Sequence, residues 1–211
     1  MLVIDRSGSM DETQARQQRH LISGVAEALS FGDRLIVMVA HRSGVKGASP
    51  LVVQMPGARR ADRPLSHEER ALRTAKRLAI QATDPLFRGG PVPGTDLLAT
   101  LHTVSDLVDG APGGRVSLLM LSDMLQCAEG VCFERNGQAV PGSKWIRAQQ
   151  QQGTLPRLPG VCVAVVGADA STTHGVRVRN FWSAYFQAAG ARLDTTRWRH
   201  VVADVNAVLC A

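Results

Sequence analysis

Oxygen-bearing side chains follow an apolar run close to the start of the sequence. The run Leu2–Ile4 leads directly into Asp5, and Ser7 and Ser9 follow at every second position. One carboxylate and two hydroxyls in this order could hold a hard cation, because such cations prefer oxygen ligands. The same hydroxyls could instead satisfy backbone donors at a helix start. The motif alone does not decide between these two roles.

Two more oxygen donors occur where they should reach the same place. Thr95 follows a turn-rich loop and precedes a predicted helix, and Asp123 follows the most apolar run of the chain, Val116–Leu121. Each could act alone, Thr95 or its neighbour Asp96 as a helix cap and Asp123 as a turn residue. Loops after parallel strands, however, share one edge of an open α/β sheet. The residues that we expect to converge there are Asp5, Ser7, Ser9, Thr95 and Asp123.

This set contains no histidine or cysteine. Carboxylates and hydroxyls favour Mg²⁺, with Mn²⁺ or Ca²⁺ as possible substitutes, and they disfavour zinc and copper. The sequence therefore predicts a site for a hard divalent cation.

The elements that must position these residues alternate along the chain. Apolar runs predict strands at 2–5, 34–41, 116–121 and 161–166, a hairpin partner at 51–55 and a last short strand near 196–199. Apolar residues at helical spacing predict helices at 11–30, 66–83, from 97 onward, 144–152, 178–189 and 201–209. A capping box, Ser66–Glu69, opens the second helix. This order predicts a single doubly wound α/β domain with a mostly parallel sheet, one antiparallel edge strand and helices on both faces.

Length and composition suit one globular domain. The chain has 211 residues, of which 45% are hydrophobic and 20% are charged. We expect residues 1–211 to form one domain with a trimmed N-terminus and an irregular insertion at about 124–143. No apolar run is long enough for a transmembrane helix. The net charge of +6 is scattered and aromatic residues make up only 4% of the chain, which favours acidic partners over nucleic acids.

The four cysteines bear on the cellular compartment. Cys127 and Cys132 bracket a short loop that suits a local disulfide, and Cys162 and Cys210 could form a second one. Sequence alone does not choose among the three possible connectivities, and four reduced thiols are the alternative. Disulfides would favour an extracytoplasmic location, that is, periplasmic, secreted or surface-anchored.

The oxygen donors resemble the metal-ion-dependent adhesion site of von Willebrand factor type A domains, a family that includes the inserted domains of integrins. The matching parts are Asp-x-Ser-x-Ser from Asp5 to Ser9, a Gly-Thr-Asp turn at Thr95, and the strand-terminal Asp123. The chain looks like a bacterial-type member. One departure is Met124, where family members commonly have glycine, so the loop after the strand is expected to be shaped differently.

The resemblance implies a metal bound directly by the Ser7 and Ser9 hydroxyls, with Thr95 and both aspartates contributing directly or through water. It also implies a non-enzymatic adhesion module that engages a glutamate or aspartate of a partner protein through the ion. A metal-dependent phosphoesterase and a domain in which the metal only stabilises the fold are the alternatives.

The family also implies movement of the last helix when the coordination of the metal changes. That helix would be 201–209 here, and a disulfide between Cys162 and Cys210 would restrain it.

Overall fold

The sheet and helices are defined by a computed structural model that describes residues 1–8, 12–40, 49–57, 65–88, 94–110, 114–128, 130–133 and 140–210. The strands are β1 (Leu2–Asp5), β2 (Arg34–Ala40), β3 (Leu51–Gln54), β4 (Ser117–Leu121), β5 (Cys127–Ala128), β6 (Val131–Cys132), β7 (Cys162–Val166) and β8 (Arg192–Arg199). The α-helices are α1 (Glu12–Ala28), α2 (Leu65–Thr83), α3 (Leu97–Asp109), α4 (Ser143–Gln151) and α5 (Thr173–Ala188).

Six of these strands form one twisted sheet in the order β3-β2-β1-β4-β7-β8. The pair β2–β3 is antiparallel, and the other neighbours in the sheet are parallel. The predicted mixed α/β fold, with its antiparallel edge strand, is therefore confirmed. Strands β5 and β6 make a separate short hairpin within the predicted insertion.

Side chains of the central strands alternate between two apolar layers, because successive residues of a strand point to opposite faces. Val3 and Met120 belong to the layer shared with α3, α4 and α5. Ile4 and Leu121 belong to the layer shared with α1 and α2. Both faces of the sheet are thus covered, which explains why the sequence of these strands is continuously apolar rather than alternating.

Two local predictions were wrong. Helix α2 begins at Leu65, so Ser66 lies inside the helix and not at its cap. The predicted helix at 201–209 is replaced by a tail whose regular part is a 3-10 turn, Val205–Ala207. The tail is rich in valine and contains Asp204 and Asn206, which are poor helix formers.

Tertiary contacts hold this tail in its non-helical path. The Asp204 carboxylate accepts a hydrogen bond from the Asn206 amide at 2.9 Å. The tail also passes close to α1, where a Cβ at Gly24 would lie 3.1 Å from the Cβ of Val205. A guanidinium N–H of Arg197 donates to the carbonyl of Leu209. These contacts, together with a disulfide to β7, fix the end of the tail.

Two disulfides are present, Cys127–Cys132 and Cys162–Cys210, as predicted. They favour an extracytoplasmic location, because reducing compartments seldom preserve disulfides. Within the part of the chain that the structure describes, no helix combines the length and apolarity needed to cross a membrane.

Candidate metal centre

The carboxylate of Asp5 is the centre of a buried polar network. Asp5 ends β1 and is fully buried. Its Oδ1 accepts hydrogen bonds from the Ser7 amide at 2.8 Å and from the Thr95 hydroxyl at 3.0 Å. Its Oδ2 accepts a hydrogen bond from the Ser122 hydroxyl at 2.7 Å. One carboxylate therefore joins three segments that are far apart in the sequence.

The sheet register explains why two of these segments meet. Strands β1 and β4 are parallel neighbours, and Ile4 pairs with Leu121. The next residues, Asp5 and Ser122, therefore leave the sheet side by side, at the edge where α/β sheets bind ligands. Asp123 follows immediately and is itself buried, with its Oδ1 accepting from the Leu125 amide at 2.9 Å.

The third segment enters through the start of α3. Asp96 caps this helix by accepting a hydrogen bond from the Ala99 amide at 3.0 Å. Thr95, the residue before the cap, is 1% exposed and faces Asp5. The predicted capping role therefore belongs to Asp96, which leaves the Thr95 hydroxyl for the site.

The structure brings Asp5, Ser7 and Thr95 into contact and places Asp123 at the adjoining strand end. Ser7 contacts Asp5 through its backbone amide. Ser9 lies outside the described residues. The role of these residues as metal ligands stays a prediction.

Sequence reasoning missed three polar residues of this network. Ser122 could have been found from the strand pairing, because it lies opposite Asp5. Gln18 could have been suspected because it occupies an apolar-face position of α1, three residues before Leu21, and it is 4% exposed. Gln126, which is 1% exposed, lies in the irregular segment after β4 and carries no sequence signal.

The loop after Asp123 contains a residue in an unusual conformation. Met124 has φ of +63°, and within the described ranges it is the one residue other than glycine with positive φ. This is the left-handed region that favours glycine, and glycine is what the resemblance leads one to expect at this position. The conformation is held by hydrogen bonds from the Met124 amide to Ser122 Oγ at 2.8 Å and from Trp182 Nε1 to the Met124 carbonyl at 2.9 Å.

A neighbouring strand end comes very close to the same loop. Gly167, which follows β7, has φ of +110°, and a Cβ at this position would lie 3.0 Å from the carbonyl oxygen of Ser122. The Gly167 position therefore suits only a residue without a side chain, and the backbone around Ser122 is closely confined.

The electrostatics of the site are compatible with a bound cation. The ion pairs recorded among the described residues are Arg73–Glu69 and Arg197–Asp194, neither of which involves Asp5. A buried carboxylate that has only neutral hydrogen-bond donors carries a desolvation cost that a cation would offset. Among the described residues no group of three or more histidine, cysteine, aspartate or glutamate side chains could hold a metal. A cation at Asp5 would thus depend on hydroxyl ligands, as Mg²⁺ sites can.

Neither the known family models nor the curated protein sequences match this chain. Solved structures do match its backbone. One is an aerotolerance-related membrane protein from Bacteroides fragilis NCTC 9343, crystallised with multiple mutations to serines; it has 12% identity and a TM-score of 0.48, and the match covers 98% of this chain and 92% of that one.

Two further structures match over smaller shares of their own length. The pilus adhesin SpaC from Lactobacillus rhamnosus GG, in an open conformation, has 13% identity and a TM-score of 0.46, with 98% of this chain and 28% of that chain covered. Proximal thread matrix protein 1 from the mussel byssus has 13% identity and a TM-score of 0.40, with 89% and 44% covered. Likeness at this level says nothing about ligand or partner, so the site has to be judged on its own residues.

Proposed function

We propose that this chain is a non-enzymatic protein-binding module in which a divalent cation, Mg²⁺ in the first place, connects the domain to an acidic side chain of a partner protein. The observation that carries the proposal is the fully buried Asp5 carboxylate, which accepts a hydrogen bond from Thr95, a residue 90 positions away. The residues that would hold the ion are Asp5, Ser7, Ser9, Thr95 and Asp123.

The charge of this donor set favours an acidic partner. Two aspartates balance the double charge of the ion formally, whereas the hydroxyls are neutral and donate weakly. The chemistry that the ion supplies when bound is an electrophilic coordination position for an incoming carboxylate. The net charge of +6 over the chain also attracts acidic surfaces.

The contacts of Asp5 support binding rather than catalysis. Within the described residues, its side chain contacts two hydroxyls and a backbone amide. All three groups donate to the carboxylate and fix its orientation, as outer-shell partners do for a metal ligand. We therefore propose that Asp5 serves to hold the ion and that the domain binds and orients a partner without turnover.

Calorimetric titration with Mg²⁺ tests the cation site. The Asp5→Asn variant keeps the size of the side chain and an oxygen that can accept from the Ser7 amide, but it removes the charge. We expect its affinity to fall by more than the roughly 10- to 100-fold that loss of an outer-shell partner costs. Asp106→Asn, an exposed change on α3, is the matched control and should bind as the wild type does. Equal affinity of the wild type and Asp5→Asn would refute the cation site.

Partner capture tests the remainder of the proposal. Immobilised wild type and Asp106→Asn should retain a binding protein in Mg²⁺ and release it with a chelator, whereas Asp5→Asn should retain none. Mg²⁺-dependent hydrolysis of a generic phosphoester that is lost in Asp5→Asn would instead indicate a phosphoesterase. A melting temperature that falls with the chelator, without any effect on capture, would indicate a purely structural ion.

A further inference from the structure

Two buried glutamines approach the candidate site from opposite faces of the sheet. Gln18 belongs to α1, which covers one face, and Gln126 contacts the start of α3, which covers the other. Burying an amide side chain is costly unless its polar atoms are hydrogen-bonded. The partners of these two amides therefore indicate what they do.

Gln126 holds the start of α3. Its Oε1 accepts hydrogen bonds from the Leu97 amide at 2.6 Å and from the Leu98 amide at 3.2 Å. Its Nε2 donates to Oδ1 of Asp96 at 3.2 Å. It thereby satisfies two of the backbone donors that a helix leaves unpaired at its first turn. Thr95 lies immediately before Asp96, the cap of this turn.

The next residue along the chain holds Thr95 itself. The Cys127 amide donates to the Thr95 carbonyl at 2.9 Å, and the Gln126 carbonyl accepts from the Phe133 amide at 2.7 Å. Because Cys127 and Cys132 are joined by a disulfide, the hairpin that carries these contacts is closed. Thr95 is thus fixed relative to the segment that follows Asp123.

Gln18 links the other two segments of the site. Its Nε2 donates to the carbonyl of Asp5 at 3.1 Å and to the carbonyl of Leu121 at 2.9 Å. These carbonyls belong to the last residues of β1 and β4, where the chain turns out of the sheet. A single amide group therefore sets the distance between the strand end that carries Asp5 and the one that leads to Asp123.

We propose that Gln18 and Gln126 are positioning residues of the cation site, an inference that rests on the proposed function. Gln18 fixes the spacing between Asp5 and the segment leading to Asp123, and Gln126 fixes Thr95 against that same segment. The hydrogen bonds of Gln126 occupy both ends of its amide, so it acts through Asp96 and α3 rather than by binding the ion.

Substitution by methionine removes the hydrogen bonds and nearly preserves the volume. We expect Gln126→Met and Gln18→Met each to weaken Mg²⁺ binding by about 10- to 100-fold, the cost of losing an outer-shell partner, with the stoichiometry unchanged. Affinity is measured by calorimetry on protein whose folding has been verified by circular dichroism.

Gln54→Met is the matched control. The Gln54 amide also donates to backbone carbonyls, those of Gly32 at 3.1 Å and Asp33 at 3.0 Å, but at the other end of the sheet. Because Gln54 is exposed, this variant should lose little stability and keep its Mg²⁺ affinity. If Gln126→Met and Gln18→Met also bind Mg²⁺ like the wild type, the positioning role is refuted.

A pair of exchanged residues distinguishes loss of the Gln126–Asp96 hydrogen bond from poor folding of a variant. Gln126→Glu keeps the oxygen that accepts from α3 but sets a second carboxylate against Asp96, so affinity should fall. Adding Asp96→Asn exchanges donor and acceptor within the pair and should restore affinity; a double variant as weak as the single one would contradict the proposal. If the wild type binds no Mg²⁺, the proposed function is refuted. If the wild type and the glutamine variants all bind Mg²⁺ equally well, only the positioning role is refuted.

Discussion

Each end of the central sheet has a disulfide beside it, and the two disulfides span loops of very different length. At the carboxyl end, beside the candidate site, Cys127–Cys132 joins residues only five positions apart, which pair directly across the β5–β6 hairpin. At the amino end of β7, Cys162–Cys210 joins residues 48 positions apart and ties down the tail. Loop-closure entropy assigns about 2 kcal/mol of stability to the short loop and about 4 kcal/mol to the long one.

The two disulfides differ in role: the long one mainly stabilises the fold, and the short one helps to position Thr95. The long disulfide restricts the unfolded chain strongly, and it lies at the end of the sheet opposite to Asp5. The short disulfide contributes less, yet its first cysteine donates a hydrogen bond to the Thr95 carbonyl. The carboxyl end also contains costly features, namely the buried charge of Asp5 and the left-handed Met124. Stability supplied at one end of the sheet therefore supports an unfavourable arrangement at the other.

Removing the long disulfide should produce the largest loss of stability. Cys162→Ser with Cys210→Ser should lower the free energy of unfolding by about 4 kcal/mol, measured by urea denaturation. Mg²⁺ affinity should stay at the wild-type value under conditions where the double variant is folded. A clear loss of affinity would mean that the tail is coupled to the site and that the separation between the two ends is wrong.

Removing the short disulfide should have the opposite pattern of effects, with a smaller loss of stability and a loss of Mg²⁺ affinity. Cys127→Ser with Cys132→Ser should cost about 2 kcal/mol of stability, less than the first double variant. Mg²⁺ affinity should nevertheless fall, because the hairpin no longer holds the Thr95 carbonyl. If both double variants bind Mg²⁺ equally well, the hairpin has no part in positioning the site.

Most of the sheet could be predicted because its strands are buried on both faces. Runs such as Leu2–Ile4 and Leu118–Leu121 are apolar throughout, and that pattern does not depend on distant contacts. The tail after Arg199 does depend on them. Its course is set by the contact of Val205 with Gly24 and by the bond from Cys210 to β7, neither of which a helical periodicity can reveal.

The site shows the same limit. Asp5, Thr95 and Asp123 could be found from residue type and from their places after strands or before a helix. Ser122 needs in addition the register of β1 against β4, and Gln126 could not be found at all, because its role follows from a contact across 29 positions. Spacing in the sequence identifies candidate ligands, whereas the residues that support them depend on tertiary structure.

The backbone strain at Met124 can be tested by comparing the stabilities of its alanine and glycine variants. Alanine is usually the more stabilising of the two residues, and we expect glycine to be so here. Met124→Ala and Met124→Gly both remove the buried side chain beyond Cβ, so they differ by one methyl group and by the freedom of the backbone. At φ of +63° the glycine variant should be the more stable by up to about 1 kcal/mol, because left-handed geometry costs other residues roughly 1–2 kcal/mol and glycine loses part of this advantage through the missing methyl group and its flexible unfolded chain.

The control for this pair lies at an ordinary backbone position. Ala189, the cap residue that follows α5, has φ of −77°, and Ala189→Gly should destabilise the protein by about 0.5–1 kcal/mol. Denaturant unfolding of the three variants and the wild type provides the comparison. If alanine is the better residue at both positions, the loop at Met124 relaxes at no cost and the carboxyl end is less strained than we infer.

The smallest expected effect concerns Asp169, a carboxylate at the carboxyl end of the sheet whose hydrogen-bond donors lie in its own turn. Asp169 follows β7, and hydrogen bonds from the Ser171 hydroxyl and amide, each at 2.7 Å, hold the pKa of Asp169 below its ordinary value. A lowered pKa adds stability that is present above the unfolded-state pKa and is lost as the pH falls through the folded-state value. Ser171→Ala should therefore raise the pKa of Asp169, as measured by NMR titration of its carboxyl carbon. Mg²⁺ should leave this pKa unchanged in both proteins, since a carboxylate closed into its own turn has no part in the network around Asp5; a metal-dependent shift would extend the site to β7.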